Sequence, residues 1–352
     1  MTCSKNRDGR GSSNLLTKLK TMATSVNNAF DIFLKDTVRI AKDRSDVAKT
    51  SKNNLVNQIE KFPDDGKFLT LHPDISIDYG SFSRKTKIRP LDDIDIMIVL
   101  HAEGNWRDWH GDHYKISVQQ LANKQLDLCN EGTNILNSIK VINKFKEYLS
   151  NVPDYKKADI KRNQEAATLD LNSYEWTFDI VPCFITSPDA AGNTFYLIPD
   201  GKGNWKPTDP RIDKQRTQDI NAAQTVSVLD MIRLIKYWTK RATMPTMKSY
   251  YLENMILDYY GYADKSKQWL DRELPNLFAY IYHNVEHALQ DPKGYQGDIN
   301  HLTADERAKV KEKARVDYNK ANEAIEFEKA NKIKESIEKW REIFGDEFPN
   351  YG

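Results

Sequence analysis

Two aspartates one residue apart, Asp93 and Asp95, lead into the apolar run Ile96-Met97-Ile98-Val99-Leu100. A run of that length, rich in β-branched side chains and preceded by Arg89-Pro90, predicts a strand buried on both faces. Residues i and i+2 of a strand point to one side, so the two carboxylates project together while Ile94 and Ile96 turn the other way. Carboxylates this close in an apolar strand repel each other, and burying them without a partner is costly. Hard divalent cations, which take oxygen ligands, fit that need. The alternative is a strand entry with a charged lip.

A third acid is expected from Trp176-Thr177-Phe178-Asp179-Ile180-Val181-Pro182, where Asp179 is enclosed by apolar neighbours. Glu175 is assigned to the solvated strand end, and Asp170, alternating with Leu169 and Leu171 in the strand Ala166–Leu171, is set aside as a decoy. Upstream, the alternation of Ile75, Ile77 and Tyr79 predicts a strand that enters Gly80-Ser81. A glycine there lets backbone N–H groups approach a phosphate, and the serine hydroxyl adds a donor. Alone the pair reads as a turn; its distance from Asp93 and Asp95 favours the phosphate. Arg84, Lys85 and Thr86 lie between them, and the two charges are read as solvated.

The chain has 352 residues, enough for one large domain or two lobes. With 52 Lys+Arg against 51 Asp+Glu the net charge is +1, so no global field draws it to membrane or to long nucleic acid. A local basic cleft for triphosphates is compatible with that balance. The longest apolar run falls far short of the roughly 20 residues a spanning helix needs, and the first residues show no apolar signal core. Cys3, Cys129 and Cys183 form no metal-ligand or even-numbered pattern and read as reduced thiols, hence a cytoplasmic protein.

In chain order, residues 1–21 predict a flexible tail and 22–62 one long helix, or two, on the spacing of Val26, Phe30, Phe33, Val38, Ala48, Leu55 and Ile59. Residues 102–114 read as a loop insertion, 116–150 as a helix with Leu121, Leu128, Ile135, Ile139, Ile142 and Phe145 on its apolar side, and 188–211 as turn-rich. Residues 224–242 predict the first helix of the second lobe, with Arg233 and Lys236 adjacent on one face, by default a solvated basic face. Ser249 is expected to cap the next helix. Thr303-Ala304-Asp305-Glu306 is a capping box opening a charged helix that runs to Phe344, followed by a mobile tail, 346–352. Two short histidine motifs, His110-x-x-His113 and His283-Asn-Val-Glu-His287, formally suggest zinc, but the first reads as a packed surface loop with tryptophans and the second has no obvious third ligand.

The segments GSFSRKTKIRPLDDIDIMIVL, FDIVPCF, LIKYWTK, KSYYLEN and WREIFGDEFP, in that order, resemble the CD-NTases, the cyclic-oligonucleotide synthases of the DNA polymerase β-like nucleotidyltransferase superfamily. The resemblance covers most of the chain. It implies a bilobal α/β (α+β) fold: a brace helix (22–62), a mixed-sheet lobe (63–210) and a helical lobe (211–345), with an IPDG…W…DP segment linking the lobes. It implies that Asp93, Asp95 and Asp179 hold two magnesium ions, manganese being the alternative. It also implies that Gly80, Ser81, Lys236, with its neighbour Arg233, and Ser249 hold the phosphates, and that Tyr250 stacks on a nucleobase. The substrates would be ATP and other nucleoside triphosphates. The product would be a cyclic di- or trinucleotide passed to an effector protein in bacterial antiphage signalling, with a regulatory protein as a further partner. A linear product, transfer to an RNA 3′ end, and a catalytically dead nucleotide sensor are the competing readings.

Overall fold

The computed structural model describes residues 22–352; the expected tail 1–21 lies outside the described residues. Helix α1 (Val26–Phe33), capped by the Ser25 hydroxyl, continues into a π-helical turn, Leu34–Val38, and the chain restarts as α2 (Lys42–Ile59). The 22–62 segment is thus two helices. Arg89 helps to end the first: its guanidinium donates to the carbonyl oxygens of Asp36 at 2.6 Å and Lys35 at 2.9 Å, acceptors that a helix end leaves without partners. The two halves bury their apolar faces in different cores. Val26, Phe30 and Phe33 join the helical core, and Ala48, Leu55 and Ile59 join the core beneath the sheet.

Among the described residues nine strands form one mixed sheet: β1 (Leu71–Asp78), β2 (Asp93–Leu100), β3 (Trp106–Trp109), β4 (Tyr114–Ser117), β5 (Asp159–Asn163), β6 (Ala166–Asp170), β7 (Thr177–Ile185), β8 (Tyr196–Pro199) and β9 (Trp205–Thr208). The order is β1-β2-β7-β8-β9-β4-β3, with β6 also beside β7 and β5 beyond it. Strands β2 and β7 run parallel, with Asp95 opposite Asp179; β1 and β6 flank them antiparallel. The two-residue period sorts the side chains. Ile94, Ile96 and Ile98, with Phe178 and Ile180, fill the main sheet core. The opposite face carries the aspartates and, further along, a small cluster of Met97, Val99, Val181 and Cys183.

The remaining helices are α3 (Gly80–Ser83), α4 (Asn123–Leu126), α5 (Ser138–Asn151), α6 (Pro210–Ala223), α7 (Val228–Thr239), α8 (Ser249–Tyr262), α9 (Leu270–Asn284), α10 (Ala304–Lys329) and α11 (Ile333–Phe344). From Pro210 to Phe344 every element is helical, and these helices share a core with α1. Thr303 caps α10 with the expected reciprocal bonds to Glu306. No described helix is long and apolar enough to cross a membrane.

Several local expectations are corrected. The 102–114 stretch contains β3 and the turn of a hairpin onto β4, not a loop. Residues 116–150 are helical only from Ser138, apart from the short α4, because Asn137 accepts from the amides of Ile139 and Lys140 and starts the helix there; Leu121, expected on its apolar face, is 94% exposed. Residues 196–208 are a hairpin of the sheet, with Trp205 buried and donating to the Leu136 carbonyl at 3.2 Å, and the chain passes from β9 through Asp209 directly into α6. The first helix after the sheet is α6, not α7, and the charged final helix breaks at Asn331, whose φ is +59°. The tail 346–352 is docked. Phe348 is fully buried, 5.0 Å from Phe30 ring to ring, and Ala23 N–H donates to Asn350 at 2.8 Å.

Candidate active site

The in-register pairing of β2 and β7 places Asp95 beside Asp179 on the face away from the sheet core, with Asp93 two residues earlier on that same face. On the next strand Thr168 stands opposite Asp179, and its hydroxyl donates to Asp179 Oδ1 at 2.6 Å. Burial, together with the charge of Asp179, raises the Asp95 carboxyl to about 6, against a pull the other way from Lys87 and Arg84. Tyr79, which leads into α3, is buried near both acids. Burial and those two charges push its phenol well above its ordinary value, which keeps it neutral.

Gly80 is required here. Its φ is +74°, and a Cβ on it would fall 1.7 Å from Asp95 Oδ2. The start of α3 therefore lies directly against this carboxylate. The chain after α3 folds back because the Ser81 carbonyl accepts from the amides of Thr86 at 2.9 Å and Lys87 at 3.1 Å. That turn delivers Lys87, whose ammonium pairs with Asp92 and Asp93. Among the described residues no three His, Cys, Asp or Glu side chains are gathered as a ready metal cage: Asp95 and Asp179 face each other while Asp93 is held by Lys87. The donor set still suits a hard cation. Two carboxylates share one wall, one of them with its proton affinity raised by burial and by the other, and glycine keeps the approach open.

Of the two loop charges read as solvated, Lys85 is exposed but the Arg84 side chain is only 9% exposed, and Thr86, between them and Lys87, is fully buried. Arg84 Nε donates at 2.9 Å to Glu253 of α8, whose other oxygen takes the Lys236 ammonium. Burial alone would raise the Glu253 carboxyl; Arg84 and Lys236 reverse this and hold it at about 2. Lys87, Glu253 and Thr168 are the site residues that sequence reasoning missed. Glu253 had one signal, an acid close to the apolar run Met255–Leu257, akin to the signal that singled out Asp179. Thr168 had none.

The other candidates are distributed as follows. Lys236 and Ser249 line one cavity of about 580 Å³ together with Lys87 and Asp92. Ser249 is the first helical residue rather than the cap; Lys248 occupies the cap position and makes no side-chain capping bond. Arg233 pairs with Asp230 at 2.6 Å and lines a second cavity, whose wall includes Asp95. Lys236 and Arg233 are therefore ion-paired rather than a solvated basic face. Tyr250 lines neither cavity; its hydroxyl lies 2.7 Å from Asp291 and 3.0 Å from Asp213. His110 and His113 stack in the β3–β4 turn, while His283 lies in α9 and His287 beyond its end.

A mixed sheet with paired strand acids beside a helical lobe is the architecture of the polymerase β-like nucleotidyltransferases. The chain is 41% identical over 339 residues to a probable cyclic nucleotide synthase of Bacillus cereus strain VD146, covering 94% of this chain and 99% of that protein. It belongs to the CD-NTase family of cyclic nucleotide synthases and is a nucleotidyltransferase. Solved structures share the fold. Escherichia coli MS115-1 CdnC with ATP superposes with a TM-score of 0.67 at 15% identity, over 92% of this chain and 99% of that one. The same CdnC in complex with HORMA-deltaN gives 0.66 at 16%, over 92% and 98%. Apo Vibrio cholerae DncV gives 0.65 at 11%, over 94% and 98%. No protein-family model matches the chain.

Proposed function

We propose that the protein joins nucleoside triphosphates, ATP among them, into a cyclic di- or trinucleotide without a template, releasing pyrophosphate at each transfer. The observation that supports this reading best is the row Asp95, Asp179 and Thr168 across three strands, with the Gly80 backbone against Asp95, in a chain of this family. Asp93, Asp95 and Asp179 would hold divalent cations, magnesium or manganese, which when bound lower the pKa of an attacking ribose hydroxyl and neutralise the triphosphate and the leaving pyrophosphate.

The chain's own residues bind and orient. The Gly80 amide and Ser81 hydroxyl approach the donor phosphates, and Lys236 and Ser249 hold them from the helical lobe. Arg233 is a further phosphate contact. Glu253 keeps Arg84 and Lys236 in place, and Thr168 fixes the rotamer of Asp179. The ring of Tyr250, anchored through its hydroxyl, stacks on a nucleobase. No covalent enzyme intermediate is needed; positioning and charge neutralisation suffice. The product would serve an effector protein in cytoplasmic antiphage signalling, with a regulatory protein partner, as the CdnC complex with HORMA-deltaN illustrates for a protein of the same fold.

The test is product analysis from mixed nucleoside triphosphates with magnesium, omitting each in turn. Phosphatase-resistant material with the mass of a ring is expected from the wild type and none from the double variant Asp93→Asn, Asp95→Asn. A phosphatase-sensitive ladder would establish a linear synthase instead.

A further inference from the structure

Side chains from three segments meet around the Tyr250 hydroxyl of α8: Asp213 of α6, and Asp291 and Lys293 of the connection between α9 and α10. The hydroxyl lies 2.7 Å from Asp291 Oδ1 and 3.0 Å from Asp213 Oδ1, two acceptors for its one hydrogen, and it accepts from the Lys293 ammonium. Lys293 Nζ also donates to Asp213 Oδ2 at 3.0 Å and stands 3.4 Å from Asp291 Oδ1. An ammonium has three N–H groups, and here three oxygens surround it. The Lys293 side chain is only 4% exposed and that of Asp291 is fully buried. Burial alone would raise the Asp291 carboxyl; the Tyr250 hydroxyl and Lys293 reverse this. A buried ion cluster adds little stability over apolar packing of the same shape, so this one calls for a reason beyond joining α6 to α8. The loop that delivers Lys293 is itself built on Asp291, whose carboxylate accepts from the amides of Lys293 at 3.3 Å and of Tyr295 and Gln296 at 3.2 Å. The same loop reaches the sheet, where the Tyr295 ring lies 5.7 Å from that of Phe195.

We propose that Lys293, held by Asp213 and Asp291, is a positioning residue for nucleobase binding: it fixes the far end of the Tyr250 ring, so that the ring stands in place as a stacking platform before a nucleotide arrives. This rests on the stacking role given to Tyr250 under Proposed function. A tyrosine has two side-chain torsions, and tying down its hydroxyl leaves the ring little freedom to lose on binding. Phenylalanine would offer the same ring surface without that handle. Tyr250 lines neither cavity that holds the phosphate-side residues, so the grip acts on the base and not on the triphosphate. Weakening it therefore lowers the affinity for a nucleotide and leaves the affinity for a bare phosphate chain unchanged. An ion cluster that merely joined helices would affect the two alike.

The experiment measures, by calorimetry on the whole chain with magnesium present, the binding of two probes: an ATP analogue that cannot be cleaved between its α and β phosphates, and inorganic tripolyphosphate. The ratio of the two affinities isolates the base side. Tyr250→Ala removes the ring and is expected to lower the ratio about tenfold or more. Tyr250→Phe, which keeps the ring and the ion pairs of Lys293, and Lys293→Met are each expected to lower it roughly three- to tenfold, with Lys293→Arg recovering most of the loss. The double variant Tyr250→Phe, Lys293→Met is expected to fall no further than either single one, because both remove the same interaction. Arg272→Met, which breaks another ion pair of the helices, to Glu328 of α10, is expected to lower the melting temperature and leave the ratio unchanged. A ratio unchanged in Tyr250→Phe and Lys293→Met but lowered in Tyr250→Ala overturns the proposal and spares the stacking role. A parallel loss of both probes also overturns it. If Lys293→Met does not fold, Tyr250→Phe decides alone. A ratio unchanged in Tyr250→Ala overturns the stacking role itself, and the proposal with it.

Discussion

At residue 80 the backbone and the active site compete for the same space. Gly80 has left-handed φ, and its missing Cβ is where Asp95 Oδ2 lies. Gly80→Ala is therefore expected to cost about 2 kcal/mol or more in stability and to displace Asp95. Activity should fall much further than the melting curve would explain, which paired thermal melts and pyrophosphate-release rates would reveal. Glu253 makes a different prediction. Its carboxyl is held at about 2, below the ordinary 4.5, by Arg84 and Lys236. A depressed acid contributes stability that is present above its unfolded value and lost as pH falls through its folded value. The difference corresponds to roughly 3 kcal/mol. Urea unfolding should show wild type more stable than Glu253→Gln at pH 7, with the gap closing between pH 4.5 and about 2. A gap that persists at the acid end would show that Glu253 stabilises by packing rather than by charge. The sequence marked Asp93, Asp95 and Asp179 because an acid inside an apolar strand demands a reason. Arg84 and Thr168 were invisible to that logic, since their partners are chosen by the fold, 169 positions away in the case of Arg84 and Glu253.

At the scale of elements, hydrophobic period identified strands β1, β2, β6 and β7, while the breaks were harder to see. The long N-terminal helix splits where Arg39 leaves helical geometry at ψ 145° and turns to Asp230 of α7, Nε at 2.9 Å. Arg233 reaches the same carboxylate. Asp230 thus clamps the α1–α2 junction to the helical lobe. Asp230→Asn removes the charge that serves both guanidiniums, and with Arg39 partly exposed the expected loss is about 1–2 kcal/mol. Hydrogen exchange should quicken at residues 34–42 ahead of the rest of α2; uniform exchange along α1 and α2 would show that the junction is held by packing alone. The overextended 116–150 helix has a related cause. Leu121 and Leu128 fit a helical stripe, but Asn137 offers the backbone a better start sixteen residues downstream of Leu121. A capping side chain outweighs a weak apolar period.

At the scale of the whole molecule, the order of the motifs made the bilobal fold legible, and the close approach of Phe348 to Phe30 and Phe33 was not, because a short tail with one Pro and one Gly carries no periodic signal. The sheet face that carries the acids meets Lys87 of the β1–β2 connection, and Arg84 of that same connection is tied to the helical part through Glu253, which also takes Lys236 of α7. The central claim is that the three acids hold divalent cations beside bound triphosphate. It is tested most directly by anomalous diffraction from crystals grown with manganese and a non-hydrolysable ATP analogue. The account predicts two manganese peaks about 4 Å apart among the carboxylates of Asp93, Asp95 and Asp179, with Lys87 displaced from Asp93. Manganese bound elsewhere, or an analogue bound with no metal at these acids, would contradict it.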